Sequence, residues 1–175
     1  MKCVVLVGLP GAGKSTVGPL LAARLGGWRF VDLDVEIERA TGRSVAEIFA
    51  TDGEAAFRQL EREATHGLAS LGPAGVVLAP GGGWILDPRN LNALGPAIVT
   101  VYLRVSPAAA LRRMAGAAAD RPLLATSDPL TSLEALLEAR EAAYLQANHT
   151  VAAELMSPAA IADSIGARVS RGQAH

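Results

Sequence analysis

The chain has 175 residues, half of them hydrophobic, which suits one domain with a single substantial core. Its 16 Lys and Arg residues nearly balance its 17 Asp and Glu residues, and it contains only two Trp, two Tyr and three Phe. This composition excludes a global attraction to nucleic acid or anionic lipid and an aromatic platform for stacked bases, so we expect small-molecule partners.

The first predicted element is a buried strand, Cys3–Val7. Its apolar run stops at Gly8 and Pro10, far short of the roughly 18 residues that suggest a membrane span, and we expect no membrane association. Cys3 is the only cysteine, so an intrachain disulfide is excluded and a cytoplasmic location is expected. The three histidines lack the close pairing of zinc sites, so any metal is expected to be held by oxygen.

Further apolar runs predict four more strands, separated by stretches with helical spacing. These strands are Arg29–Leu33, Gly75–Ala79, Ile98–Leu103 and His149–Ala152. The alternation predicts an α/β fold with a parallel sheet between two layers of helices, in one domain over residues 1–175. We expect a monomer.

Capping residues mark four helix starts after the first strands. Asp87, Ser106 and Ser157 are each followed by a proline, which is favoured at the first helical position. Thr131 and Glu134 have the spacing of a capping box.

A phosphate-binding loop is the strongest signal in the chain. Residues 8–15, GLPGAGKS, match the P-loop pattern directly after a strand and at the start of a helix that is expected to run to about Leu25. Glycines let backbone N–H groups approach phosphate oxygens, and the helix N-terminus adds partial positive charge. Lys14 would reach the β- and γ-phosphates of ATP and Ser15 would ligate Mg²⁺. The predicted nucleotide-binding residues of this loop are Gly11, Ala12, Gly13, Lys14, Ser15 and Thr16.

Two acids end the second predicted strand. Asp32 and Asp34 are two residues apart, so on a strand both would point into the crevice beyond the carboxyl ends of the sheet. Asp32 is expected to hold the metal through water, and Asp34 to orient and deprotonate an acceptor hydroxyl. The alternative for Asp34 is a helix N-cap before residues 35–37.

A second glycine loop, Gly81, Gly82 and Gly83, follows the strand ending at Ala79. No aspartate closes this strand, which favours Asp32 as the acid near the metal. The glycines are expected to let backbone approach a ligand, and a plain flexible turn is the alternative.

Three arginines are candidate anion-binding residues. Arg58 is four residues after Glu54 on a predicted helix, so spacing alone favours an exposed ion pair. Arg140 falls on an apolar helical stripe between Leu137 and Tyr144, where it either reaches water or binds a carboxylate ligand. Arg121 follows a run of small residues that is either a mobile lid or a surface connection, and in a lid it could close over the phosphates.

Together these residues resemble the shikimate kinase family nearly from end to end. The matching segments are GLPGAGKST at 8–16, FVDLDVEIE at 30–38, GRSVAEIF at 42–49, GEAAFRQLE at 53–61, the glycines at 81–83, RPLL at 121–124, and Arg140 with Tyr144. The resemblance implies a P-loop kinase fold with a five-stranded parallel sheet, a substrate-binding segment at about 34–61 and a lid at about 113–125. It also implies transfer of a phosphoryl group from ATP, with Mg²⁺, to the 3-hydroxyl of shikimate.

The resemblance also assigns roles by match. Arg58 and Arg140 serve the substrate carboxylate, Asp34 and the triple glycine hold the substrate, and Arg121 contacts ATP. The predicted catalytic residues are therefore Lys14, Asp34 and Arg121.

Two positions depart from the family pattern. Trp84 stands where relatives often have a small residue, and its side chain is large enough to crowd or reshape the substrate pocket. Met156 stands near the position where relatives often place Arg or Gln against the adenine, and it offers only apolar contact.

Two rival functions stay open from the sequence. A related sugar-acid kinase, such as a gluconate kinase, shares the scaffold and the need to bind a carboxylate. A nucleotide-binding homologue without turnover is the second rival, although Lys14, Ser15, Asp32, Asp34 and Arg121 are all present.

Overall fold

The computed structural model describes residues 2–68, 74–115 and 127–172, and over these residues five strands form one parallel sheet. The strands are β1 (Cys3–Val7), β2 (Arg29–Asp32), β3 (Val76–Ala79), β4 (Ile98–Arg104) and β5 (His149–Ala152). Their spatial order is β2-β3-β1-β4-β5, with every neighbouring pair parallel. The prediction of a five-stranded parallel sheet is confirmed.

Helices connect these strands, as parallel pairing requires. They are α1 (Lys14–Arg24), α2 (Leu33–Thr41), α3 (Val45–Leu68), α4 (Pro88–Leu94), α5 (Pro107–Ala115), α6 (Pro129–Tyr144) and α7 (Pro158–Gly172). A short 3₁₀ turn, Trp84–Leu86, follows the triple glycine. Helix α3 is broken at Gly53, whose φ of 81° lies outside the helical range.

Helices α4, α5 and α7 begin where their capping residues predict. Asp87 accepts a hydrogen bond from Arg89 N, Ser106 from Ala109 N, and Ser157 from Ala160 N. The capping box at Thr131 is wrong: α6 is capped by Asp128, whose carboxylate accepts from Thr131 N at 3.1 Å. Asp128 precedes Pro129, so the Asp-Pro signal seen at Asp87 recurs here.

Hydrophobic side chains pack on both faces of the sheet, which makes three layers. Along β1, Val4 and Leu6 join one buried cluster with α1, α5 and α7. Cys3, Val5 and Val7 join the other, with α2, α3 and α4. This alternation follows from the two-residue period of a strand. Cys3 is 1% exposed and burial raises its pKa to about 12, so it is an unreactive core thiol.

Strand β1 lies between β3 and β4, so the chain crosses from one side of the sheet to the other at its centre. In open parallel sheets, ligands bind beyond the carboxyl ends of the strands at this kind of switch point. The P-loop follows β1 and is therefore placed at the centre of that edge. In the described part of the chain, no helix combines the length and the apolar character needed to cross a bilayer.

Candidate active site

One large cleft of about 1460 Å³ runs along the carboxyl edge of the sheet. Every predicted site residue within the described segments lines it. These are Gly11, Ala12, Gly13, Lys14, Ser15, Thr16, Asp32, Asp34, Arg58, Gly81, Gly82, Gly83 and Arg140. These residues are spread over 130 positions of the sequence, and the fold brings them together in one cleft. Arg121 and most of the predicted lid lie outside the described residues.

The P-loop wraps around the side chain of Lys14. Its Nζ donates hydrogen bonds to the carbonyl oxygens of Gly8 and Leu9, both at 3.0 Å. Gly13 is the N-cap of α1 and lines the cleft, so the N-terminus of this helix faces a ligand bound there. The loop also packs tightly on α5, because a Cβ on Gly11 would stand 2.5 Å from the Ala110 carbonyl oxygen. Only glycine fits there, at a φ of 80°.

Ser15 and Asp32 form the oxygen-rich part of the cleft beside the P-loop. Asp32 ends β2, which pairs through β3 with the sheet centre, and its carboxylate accepts a hydrogen bond from Ser15 Oγ. The described residues contain no cluster of three or more metal-ligating side chains. One hydroxyl beside one carboxylate is the donor set that suits Mg²⁺ held partly by phosphate and water.

Asp34 lies in the first turn of α2, not on β2, so the strand-face explanation for the two acids is wrong. Both acids reach the cleft because β2 ends and α2 begins at the same edge. The alternative N-cap role for Asp34 is also wrong, since α2 starts at Leu33 and its N-cap is Asp32. Among the described residues, Asp34 Oδ1 is buried and has no hydrogen-bond partner.

Burial and the neighbouring Asp32 raise the pKa of Asp34 to about 6, while Lys14 and Arg58 oppose that rise. A carboxylate that titrates near neutrality and has an unsatisfied oxygen is poised to accept a proton from a ligand.

Arg58 forms the opposite wall of the cleft and has two acidic partners. It bonds to Glu54 at 2.9 Å, as its spacing predicts, and it also bonds to Glu61, which is fully buried. The guanidinium rests on the second glycine loop, because a Cβ on Gly83 would stand 2.4 Å from Arg58 Nη2. The ion pair with Glu54 that spacing predicts is therefore present, and Arg58 also lines the cleft.

Glu61 lies behind the cleft wall and bonds to Arg58, and the sequence analysis gave it no role. Burial raises the pKa of its carboxyl, and Arg58 opposes the rise. Its Oε1 is buried and has no hydrogen-bond partner within the described part of the chain. A Cβ on Gly81 would meet this oxygen at 3.0 Å and Asp34 Oδ1 at 3.4 Å, so two unsatisfied acceptors converge beside one glycine. The signal available in the sequence was an acid three residues after Arg58 on a helix with an apolar stripe.

Arg140 faces the same glycine loop from α6. Its Nη1 lies 3.1 Å from the point where a Cβ on Gly82 would stand. Tyr144, one turn further along α6, donates a hydrogen bond from its hydroxyl to the Gly82 carbonyl at 2.6 Å. Arg140 and Arg58 thus approach adjacent glycines from different elements, and their guanidinium groups are suited to hold a carboxylate.

Arg113 was also missed, and it connects the two sides of the other end of the cleft. Its guanidinium donates to the carbonyl oxygen of Ala12 in the P-loop at 3.2 Å and to that of Ala153 after β5 at 2.7 Å. The walls beyond it are mostly apolar, formed by Met114, Leu136, Met156, Pro158 and Ile161. A single arginine within a pair, Arg112 and Arg113, carries no local sequence signal that separates the inward-facing member from the exposed one.

Trp84 does not line the cleft, so the prediction that it crowds the substrate pocket is wrong. The side chain is fully buried in the core, where its Nε1 donates to Thr65 Oγ1 on α3 at 2.9 Å. The 3₁₀ turn after the triple glycine directs the indole into the core below the loop. Asn90 Nδ2 on α4 donates to the Trp84 carbonyl at 2.9 Å and holds this turn.

Comparison with known proteins identifies similar sequences. A sequence model of the family described as shikimate kinase matches residues 10–170. A shikimate kinase of Synechococcus elongatus is 46% identical over 149 residues, which cover 85% of this chain and 76% of that protein. A shikimate kinase of Nitrobacter winogradskyi is 45% identical over 151 residues, covering 86% of this chain and 69% of that protein.

Solved structures show the same relationship. A shikimate kinase from Acinetobacter baumannii, in complex with shikimate, superposes with a TM-score of 0.87 at 35% identity, covering 98% of this chain and 94% of that one. A gluconokinase from Sinorhizobium meliloti reaches a TM-score of 0.51 at 20% identity, which is a likeness of fold alone. The sequence resemblance stated above is confirmed.

Proposed function

Because the chain belongs to the shikimate kinase family, we propose that it transfers the γ-phosphoryl group of ATP to the 3-hydroxyl of shikimate, giving shikimate 3-phosphate and ADP. The observation that carries this proposal is the composition of one cleft. A P-loop lies beside an unsatisfied aspartate, and two arginines flank the glycine loop further along. These are the parts needed to bind a triphosphate, deprotonate an alcohol and hold a carboxylate.

The nucleotide is bound at the P-loop end. We assign its phosphates to the backbone N–H groups of residues 11–16 and to Lys14, which exchanges its carbonyl partners for phosphate oxygens. We assign the apolar walls near Met156 to the nucleobase. Arg121 remains a prediction by match, as a further positive charge near the phosphates.

Ser15 and Asp32 would hold Mg²⁺, Asp32 through water. The contact between their oxygens supports this assignment. When bound, the ion supplies positive charge that neutralises the β- and γ-phosphate oxygens.

The acceptor is oriented at the other end of the cleft. Arg58 and Arg140 hold the substrate carboxylate by charge-assisted hydrogen bonds, and Glu61 fixes Arg58. Asp34 accepts the proton of the 3-hydroxyl while the hydroxyl oxygen forms a bond to the γ-phosphorus. The bond between that phosphorus and the β,γ-bridging oxygen breaks at the same time. ADP leaves with the electron pair of that bond.

A direct assay tests the proposed function. Purified protein with ATP and Mg²⁺ is incubated separately with shikimate, gluconate and nucleoside monophosphates, and ADP is quantified by chromatography. We expect turnover with shikimate. Turnover of gluconate alone would show that the substrate assignment is wrong, and ATP binding without transfer to any acceptor would identify a nucleotide-binding module.

We further propose a monomer in the cytoplasm. The single, buried cysteine supports a reducing compartment. Sedimentation equilibrium of the pure protein tests the monomer, for which a mass of 18.0 kDa is expected.

Arg140→Ala is expected to raise the KM for shikimate about 100-fold, because the variant loses one charge-assisted pair to the substrate carboxylate. The KM for ATP should change little, since Arg140 lies beside the second glycine loop. Steady-state kinetics with each substrate varied in turn measure both constants. Arg168→Ala, an exposed position on α7, is the matched control. An unchanged KM for shikimate would remove Arg140 from the site.

The pH dependence follows from Asp34. Its pKa of about 6 lies above its ordinary value, so the carboxylate that accepts the proton is lost as the pH falls through 6. We expect kcat/KM for shikimate to be level above about pH 7 and to fall about tenfold per unit well below pH 6. Direct ADP quantification between pH 5 and 8.5 measures the profile. A flat profile over this range would exclude Asp34 as the proton acceptor.

A further inference from the structure

The triple-glycine loop is held by a buried hydroxyl that belongs to another element, helix α6. Tyr144 on α6 is fully buried, and its hydroxyl donates to the Gly82 carbonyl at 2.6 Å. Its ring stacks on Tyr102 of β4, with centroids 5.1 Å apart and the planes inclined by 27°. The hydroxyl therefore has a fixed position relative to the sheet, and the loop carbonyl is attached to that position.

Arg140 approaches the same glycine. It lies one helical turn before Tyr144 on α6, and its guanidinium and the Tyr144 hydroxyl both face Gly82. The positions around Gly82 are correspondingly tight. A Cβ there would stand 3.1 Å from Arg140 Nη1, 3.2 Å from the Tyr144 hydroxyl and 3.3 Å from Pro10 Cδ. The phenol oxygen that bonds to the loop and the guanidinium of Arg140 thus meet at one glycine.

The direction of the Gly82 carbonyl also determines the direction of an amide. A peptide unit is planar and trans, so its C=O and N–H point to opposite sides. When Tyr144 holds the Gly82 oxygen, the N–H of Gly83, which lines the cleft, is held in one direction. A glycine loop without this bond has many accessible backbone conformations and would lose that alignment.

We propose that Tyr144 is a positioning residue for the acceptor site: its hydroxyl holds the Gly82–Gly83 peptide, beside Arg140, in the arrangement that receives the substrate carboxylate. This inference rests on the proposed function for its substrate, but the anchoring of the loop can be measured without one. Tyr144 touches no reacting atom and acts through the loop.

Tyr144→Phe removes the hydroxyl and keeps the ring. We expect the KM for shikimate to rise about tenfold, with kcat and the KM for ATP within about twofold of wild type. Tyr102→Phe is the matched control, because it removes the hydroxyl of the stacking partner and leaves the bond from Tyr144 to Gly82 in place. It is expected to match wild type in all three constants.

Hydrogen exchange of a peptide covering residues 80–86 provides a readout that needs no substrate. We expect its amides to exchange about tenfold faster in Tyr144→Phe than in wild type or Tyr102→Phe. Unchanged exchange would overturn the proposal, whichever acceptor the enzyme uses. Equal rises in both KM values together with a lower unfolding temperature would also overturn it, since that pattern marks a merely structural role. If wild type fails to phosphorylate shikimate, the proposed function is wrong, and the exchange comparison still decides the role of Tyr144.

Discussion

Lys14→Ala is expected to lower kcat at least about 100-fold, with a smaller change in the KM for ATP. The lysine charge matters most when the phosphoryl group is in transfer, because negative charge then builds on the oxygens around it. In the structure the ammonium bonds to the carbonyl oxygens of Gly8 and Leu9, so it already lies in the P-loop before ATP binds.

The same substitution should change the pH profile. Lys14 opposes the rise in the pKa of Asp34, so its removal allows that pKa to rise further above 6. We therefore expect the residual activity of Lys14→Ala to reach its plateau at a higher pH than wild type. Lys2→Ala is the matched control, since Lys2 is the only other lysine and is an exposed residue just before β1. A kcat within threefold of wild type would contradict the role of Lys14.

Asp34→Asn is expected to lower kcat by about 10²–10⁴, because the amide cannot accept the proton of the acceptor hydroxyl. The variant should also be more stable than wild type at pH 7. The carboxyl has a pKa of about 6 in the folded protein and 3.8 ordinarily, so folding disfavours its charge above pH 6. Removal of that charge is expected to raise the free energy of unfolding by about 1–3 kcal/mol.

The sign of the change in the free energy of unfolding distinguishes a variant that has lost its proton acceptor from one that has lost its folded structure. For wild type, the contribution of Asp34 to the free energy of unfolding rises as the pH falls from 6 towards 4, and the asparagine variant lacks this rise. Asp163→Asn is a control in which the expected change in stability has the opposite sign. Arg24 on α1 lowers the pKa of Asp163 on α7 through a hydrogen bond at the surface. Urea unfolding between pH 4 and 7 measures the stability, and steady-state kinetics at pH 7 measures kcat. An Asp34→Asn variant that keeps a tenth or more of the wild-type kcat would contradict the assignment. A variant that is less stable than wild type would also contradict it.

Arginines at the acceptor end discriminate between the candidate functions less sharply than the family relationship does. Arg58 and Arg140 are suited to any small carboxylate, and the gluconokinase likeness is one of fold alone. The shikimate assignment therefore depends on relatives more than 40% identical over most of the chain, together with the acceptor assay.

Local signals in the sequence were sufficient for the elements and for the phosphate site. The P-loop is a contiguous segment whose function depends on neighbouring backbone amides, so its residues could be named without a structure. The caps at Asp87, Ser106 and Ser157, each followed by a proline, act within one helical turn and were as easily recognised from the sequence. Apolar runs identified all five strands of the described sheet, to within one residue at each end.

Tertiary structure alone decided which groups are buried and what they meet. The contact from Arg113 to Ala12 spans 101 positions and that from Tyr144 to Gly82 spans 62. The buried oxygens of Asp34 and Glu61, and the inward turn of Trp84, depend likewise on elements distant in the chain. Sequence spacing does not encode the order β2-β3-β1-β4-β5 that brings these elements together. Burial, and with it the pKa of Asp34, is a property of that assembled edge and of no segment by itself.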